Sequence, residues 1–292
     1  MTADSVGGVW TYACELIAAI GEDADVVLAV MGPRPNTAQR RRLARLPLAG
    51  YAECGGALEW MEDPWDDVAR AGSWLLELQR AHDAELVHLN GFVHASLPFG
   101  VPVVVVGHSC VLSWHDAVRG RPAGPEWGRY RSEVQRGLAS ADAVVAPTAA
   151  MLAELARLYR PQAEMFVIPN GIERRDLGPG DKRRWVLGVG RFWDEAKNLA
   201  ALEAGRCGCA LVLGDIPSLR EVWSDAAVYV DPFDDDALAA ALADVIEDDR
   251  WRREVGAAAL ERAGIYSRDR MAAAYLDLYR EVRAVGRLEA AV

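Results

Sequence analysis

The sequence lacks the runs and signals that would place it in a membrane or outside the cell. No apolar stretch approaches the ~18 residues that span a bilayer, and no basic segment followed by an apolar core opens the chain. A cytoplasmic protein is the expectation. Cysteine is scarce and odd in number: Cys14, Cys54, Cys110, Cys207 and Cys209 do not suggest a disulfide framework. Cys207 and Cys209 form a lone C-x-C with no second ligand pair beside it, and no Asp-x-Asp cluster stands at a strand end, so no metal is expected. An excess of positive charge is missing too. The net charge of −11 argues against nucleic acid as a partner, because such binders need a basic surface to displace counterions from phosphates. The G-x-G-x-x-G fingerprint of dinucleotide-binding dehydrogenases is absent as well.

What is present is material for two cores. The chain has 292 residues, 51% of them apolar, and a prior of roughly 150 residues per domain gives two domains. Short apolar runs alternate with longer amphipathic ones. Strands are expected at Val26 to Val30 and in the segments AELVHLNG, VPVVVVGHS, ADAVVAPT and AEMFVIPNG. Helices are expected in DPWDDVARAGSWLLELQRAH, EWGRYRSEVQRGLAS and AAMLAELARLY. Apolar strands alternating with helices imply a parallel sheet covered on both faces. The opening MTADSVGG reads as the end of a first strand. A Gly-, Pro- and charge-rich stretch, PNGIERRDLGPGDKRR, reads as a linker, after which the pattern restarts with RWVLGVGR. The expected division is residues 1–173, residues 174–266, and a last helix in residues 267–292 that starts at Ser267 and crosses back to the first unit. The second unit offers only three strands, few for a doubly wound sheet.

Ligands of open α/β sheets bind beyond the carboxyl ends of the strands, so residues at those ends are the candidates. Gly7 and Gly8 precede a helix and would bare backbone N–H groups suited to phosphate or sugar oxygens; they also read as a tight turn. His108 ends the apolar strand VPVVVV and would face the cleft, while His88, inside its strand, reads as structural. Asn170 and Gly171 read as the end of the last strand of the first unit. Gly190 and Arg191, with Lys197 six residues beyond Arg191, stand at a strand-to-helix junction, where two cations and a helix start can grip two phosphates. Such a pair would stabilise a departing diphosphate without a metal. Glu203 could accept ribose hydroxyls. The segment Gly214 to Glu221 reads first as a turn and cap. The basic run Arg40, Arg41, Arg42 and Arg45 reads first as a solvated face and second as contact with an anionic acceptor or a membrane surface. Trp10, Trp60, Trp65 and Trp114 read as core first and as acceptor cleft second.

Taken in order, these pieces resemble the retaining GT-B glycosyltransferases of family 4. The likeness lies in Gly7-Gly8, VVVVGHS, IPNGIE, VGRFWDEAKN, LEAGRCGCALVLGDIPSLREV and VYVDPFDDDALAAAL, and it covers nearly the whole chain. It implies an α/β fold of two Rossmann-like lobes, the second abbreviated. It implies a sugar transferase using a nucleoside-diphosphate sugar, with no further cofactor, and an acceptor that is an unknown sugar or lipid-linked molecule. By that resemblance Arg191 and Lys197 grip the donor diphosphate, His108 lies near the transferring sugar, Glu203 binds the ribose, and Gly7, Gly8, Asn170 and Gly190 help hold the donor. One departure stands out: Lys197-Asn198 runs almost directly into Leu202-Glu203, where the family carries further strands and a loop with a first glutamate. Glu195 formally completes E-x7-E, but no E-x-F-G follows it. A non-catalytic binding or scaffold protein of the same fold is therefore the second reading, and a sugar-nucleotide epimerase the third.

Overall fold

The computed structural model describes residues 1–173, 178–180 and 198–289. Parallel strands alternate with helices through the first 173 residues. Strands β1 (Thr2–Asp4), β2 (Val26–Met31) and β3 (Leu48–Cys54) form one parallel sheet in the order β1-β2-β3. Strands β4 (Val87–Leu89), β5 (Val103–Val106), β6 (Ala143–Ala146) and β7 (Glu164–Val167) form a second in sequence order. The two meet side by side at β1 and β4. There the Asn90 backbone N–H donates to Thr2 Oγ1 at 2.9 Å, and the Asn90 amide donates to the Thr2 carbonyl at 2.7 Å. Across both sheets the order is β3-β2-β1-β4-β5-β6-β7, so the chain reverses its direction of travel between β1 and β4. In a doubly wound sheet that reversal is where a crevice opens at the carboxyl ends.

Every residue of β5 and β6 is buried, because helices cover both faces. One face carries α3 (Trp65–Ala81), α4 (Val111–Arg119), α5 (Gly128–Ser140) and α6 (Ala149–Tyr159). The other carries α1 (Gly8–Ile20) and α11 (Arg268–Glu289), the long last helix, started by Ser267 Oγ accepting from the Arg270 N–H. The second unit contributes α7 (Asn198–Arg206), β8 (Val212–Gly214), α8 (Pro217–Trp223), β9 (Val228–Val230), α9 (Asp235–Glu247) and α10 (Asp249–Ala263). β8 and β9 pair in parallel. Leu202, Trp223 and Ala259 of this unit share one apolar core with Leu16 and Ile17 of α1 and Tyr275 and Leu278 of α11. One face of the first unit is thus cemented to the second.

The structure adds elements to the sequence reading and moves one boundary. β3, α2 (Thr37–Leu43) and α4 are present although none was expected as a distinct element. β3 is an edge strand with none of its residues fully buried, so it has no apolar run; α2 is started by a capping box in which Asn36 and Gln39 bond reciprocally. The last strand of the first unit ends at Val167 and not at Asn170, because Pro169 has no N–H to extend the ladder. The acidic run after β9, which the sequence allows as one or two helices, forms two, with Asp248 ending α9 and accepting from the Arg250 and Trp251 N–H groups to start α10. The strand RWVLGVGR lies outside the described residues.

Close packing makes one glycine critical. A Cβ at Gly137 of α5 would sit 2.0 Å from the carbonyl oxygen of Phe92, the residue that leads into the short 3₁₀ turn Val93–Ser96 after β4. Backbone cannot rotate away as a side chain can. Gly137→Ala is expected to cost about 1–3 kcal/mol, measured by denaturant unfolding.

Candidate functional site

The crevice at the sheet reversal is a cavity of about 480 Å³, within the range of small-molecule sites. Its floor is made by the segments that leave β1, β2, β3, β4 and β5. After β1 the chain turns at Gly7, whose φ of 88° and ψ of −145° suit glycine alone. Helix α1 starts at Gly8, and no side chain among the described residues caps it. The free N–H groups of its first turn and its positive dipole end therefore face the cavity rim, where Gly7, Gly8 and Val9 line the wall.

His108 follows β5 and is buried, with 8% exposure. Its Nε2 lies 2.8 Å from Asn90 Oδ1, and its ring meets the Tyr12 ring edge-on at 4.5 Å. The Asn90 amide nitrogen is already committed to the Thr2 carbonyl, so Oδ1 must face His108. His108 Nε2 therefore carries the proton and donates, which leaves Nδ1 as a bare acceptor. Burial pulls the His108 pKa down to about 4, so the ring is neutral near pH 7. The same Asn90 oxygen lies 3.3 Å from His88 Nε2, and His88 Nδ1 meets the Tyr279 hydroxyl at 2.6 Å. A buried hydrogen-bonded row thus runs from α11 through His88 and Asn90 to His108. His88 is structural, as its position inside β4 implied.

Two carboxyls in the same cavity escaped the sequence reading. Glu59 accepts from the Phe92 N–H at 3.1 Å and from the Val93 N–H at 3.1 Å, at the start of the 3₁₀ turn. Burial pushes its pKa up to about 7, against those two hydrogen bonds and with help from the nearby Asp4. Burial likewise pushes Asp4 up to about 6, against the hydrogen bond from the Val6 N–H at 2.7 Å. Asp67, a third carboxyl on the wall, stays low because it accepts from the Ala57 N–H and pairs with Arg70. Trp60, Trp114, Trp127 and Tyr130 complete the lining, with His115 held between the Trp114 and Trp127 rings at 5.3 and 6.0 Å. Of the tryptophans singled out in the sequence, Trp60 and Trp114 line the cavity; Trp10 is core, and Trp65 stacks under Arg129 at 4.4 Å.

The Glu59 ionisation has a readable consequence. Its folded pKa lies above the unfolded value of 4.5, so its contribution to stability is complete below pH 4.5 and is lost as pH rises through 7. His88, lowered to about 3, and His108 act in the opposite sense and make acid unfavourable. The readout is therefore the difference between wild type and Glu59→Gln. The variant, whose single amide oxygen can still accept from both N–H groups, is expected to gain about 2–3 kcal/mol relative to wild type between pH 4.5 and 8 in unfolding titrations.

A second cavity, of about 790 Å³, lies between the two units. α4 and α6 form one wall; Asp215, Ile216, Pro217, Asp231 and Phe233 form the other. It joins the first cavity at Ser109 and Trp114, which line both. Glu221 of α8 bridges the units by accepting from the Ala149 and Ala150 N–H groups at 2.6 and 2.9 Å, at the start of α6.

Of the residues expected from the sequence, the structure brings Gly7, Gly8 and His108 to one cavity. Asn170 lies near the junction of the units, its Oδ1 buried and without a hydrogen-bond partner among the described residues. Glu203 is exposed on α7 and lines neither large cavity. Gly190, Arg191 and Lys197 lie outside the described residues. Among the described residues, no three His, Cys, Asp or Glu side chains gather as a metal would require, and no helix is long and apolar enough to cross a membrane.

Residues 6–175 match the profile of Glycosyltransferase Family 4, more than half of the chain. The chain belongs to that family. Residues 140–262 match the Glycosyl transferases group 1 profile, which continues the family 4 match into the second unit. Over 73 residues, 25% of this chain, the sequence is 38% identical to the O-antigen chain mannosyltransferase B of Escherichia coli, covering 19% of that protein. Over 94 residues, 32% of this chain, it is 35% identical to the D-inositol 3-phosphate glycosyltransferase of a Nocardioides species, covering 20% of that protein. The matched stretches thus span about a fifth of the length of these curated relatives. The fold is that of the two-lobed GT-B glycosyltransferases. A sucrose-phosphate synthase from Thermosynechococcus elongatus superposes with a TM-score of 0.70 at 14% identity, covering 97% of this chain and 99% of that one. Anabaena HepE in complex with UDP-glucose superposes with a TM-score of 0.67 at 12% identity, covering 96% and 100%.

Proposed function

We propose that this family 4 chain transfers a sugar from a nucleoside-diphosphate donor to an acceptor hydroxyl with retained anomeric configuration. The observation that carries this reading is the crevice at the β1/β4 reversal, where the uncapped start of α1 and the neutral His108 share one cavity that opens toward the second unit. The relatives named above are glycosyltransferases by name, and HepE was solved with UDP-glucose.

In this proposal the diphosphate lies between the start of α1 and the cations Arg191 and Lys197, with Gly7, Gly8 and Gly190 letting backbone approach closely. His108 Nδ1 accepts a hydroxyl of the donor sugar, while Asn170 and Glu203 belong to the donor side. The acceptor oxygen forms its bond to the anomeric carbon on the face the diphosphate leaves. The carbon–oxygen bond to phosphate breaks, and the acceptor proton passes to the departing phosphate oxygen. The charge that grows on that oxygen is met by the two cations and the helix start, an electrostatic stabilisation that needs no metal.

The test is release of nucleoside diphosphate from UDP- and GDP-sugars with candidate acceptors, with NMR of the product. Turnover with the donor's anomeric configuration kept supports the proposal. Product of inverted configuration removes retention, and donor binding without turnover favours the scaffold reading.

A further inference from the structure

The lining of the first cavity carries information about the acceptor that the transfer reading alone does not. Among the described residues lining it, none is lysine or arginine. Besides Cys54, Cys110 and Tyr130, the ionisable groups it offers are the carboxyls of Asp4, Glu59 and Asp67 and three histidines. Two of the histidines are held neutral by their surroundings: His108 as described, and His94, which is buried and bonds to the Val68 carbonyl at 2.9 Å. Arg70 at the rim is already paired with Asp67 at 2.6 Å. A phosphate monoester is recognised by forked or clustered cations, and here it would meet carboxylates instead. The one positive feature among the described lining residues, the start of α1, is taken by the donor diphosphate in the reading above, as are Arg191 and Lys197. The same carboxyls are acceptors matched to hydroxyl donors, and the indoles of Trp60, Trp114 and Trp127 offer flat apolar faces to the C–H faces of a pyranose ring.

We propose that the acceptor ring bound in this cavity is an uncharged saccharide, and that the carboxyls of Asp4 and Glu59, with Arg70 held by Asp67, disfavour a phosphorylated sugar there. This inference rests on the transferase reading for the word acceptor, but not for the saccharide site itself.

The experiment is saturation-transfer NMR on the full chain. One set of probes is the methyl glycosides of glucose, mannose and galactose with maltose. The other is glucose 6-phosphate, mannose 6-phosphate and inositol phosphate. A parallel calorimetric titration with UDP and GDP reads the donor side of the same sample. Saturable binding of at least one neutral sugar, at least tenfold tighter than its phosphorylated counterpart, is expected. Trp60, at 43% exposure, sits on the rim, so Trp60→Ala leaves the core intact and should weaken the neutral sugar at least fivefold. Asp67→Asn releases Arg70 and should narrow the ratio between the two classes. Phosphorylated sugars binding as tightly as neutral ones, no saturable response from any neutral sugar, or an unchanged Trp60→Ala would each overturn the inference. If neutral sugars bind and neither diphosphate does, the saccharide site stands and the transferase reading fails. If the diphosphates bind and phosphorylated sugars win, the reverse holds.

Discussion

Arg191→Ala will lower kcat/KM for the donor by about 10²–10³-fold, the scale of removing one preorganised donor from a developing negative charge. A diphosphate leaving group gains negative charge as its bond to the sugar breaks, and an arginine fork can hold two of its oxygens at once. The start of α1 and Lys197 remain in the variant, so binding persists in weakened form while the rate falls further. Arg191→Lys keeps the charge but loses the fork and should fall between wild type and alanine. Equal turnover by wild type and Arg191→Ala would remove Arg191 from its assigned role.

Tyr275→Ala will destabilise the chain by about 3–5 kcal/mol, in the range of large aromatic truncations in a core. Tyr275 is fully buried where α11 lies on the first unit, with its ring 6.0 Å from Tyr12, 5.4 Å from His88 and 5.9 Å from Tyr279. The cavity left behind would open inside the core that also holds Leu202, Trp223 and Ala259 of the second unit. Loss of stability should therefore come with loosened docking of the two units, seen as faster hydrogen exchange in α1 and α8. Tyr275→Phe keeps the ring and should cost no more than about 1.5 kcal/mol. An alanine variant as stable as wild type would mean that α11 is not part of the shared core.

The apolar strands β5 and β6 were legible because burial on both faces writes itself as an unbroken run of valine and alanine. His108 was legible from the same rule, since a residue ending such a strand reaches the crevice. β3 was not, because an exposed edge strand needs no apolar run, and α2 was hidden in a short polar segment whose Asn36–Gln39 box is easily passed over. Glu59 and Asn90 could not be assigned because their roles are made by distant partners: Glu59 meets backbone 33 residues away, and Asn90 meets Thr2 88 residues away. The signal closest to the page was Asn90 itself, at the end of a buried strand like His108. The shared core under α11 was invisible for the same reason, since it joins Tyr12 to a helix more than 250 residues later.

The central proposal is that a nucleoside diphosphate binds at the bare start of α1 beside His108, with Arg191 and Lys197 supplying positive charge to it. Isothermal calorimetry of the purified full chain with UDP and with GDP tests it without any acceptor in hand. The account predicts saturable binding of one nucleoside diphosphate per chain, weakened but still measurable in Arg191→Ala. Heats of dilution alone for both nucleotides, from a chain that unfolds cooperatively, would contradict it.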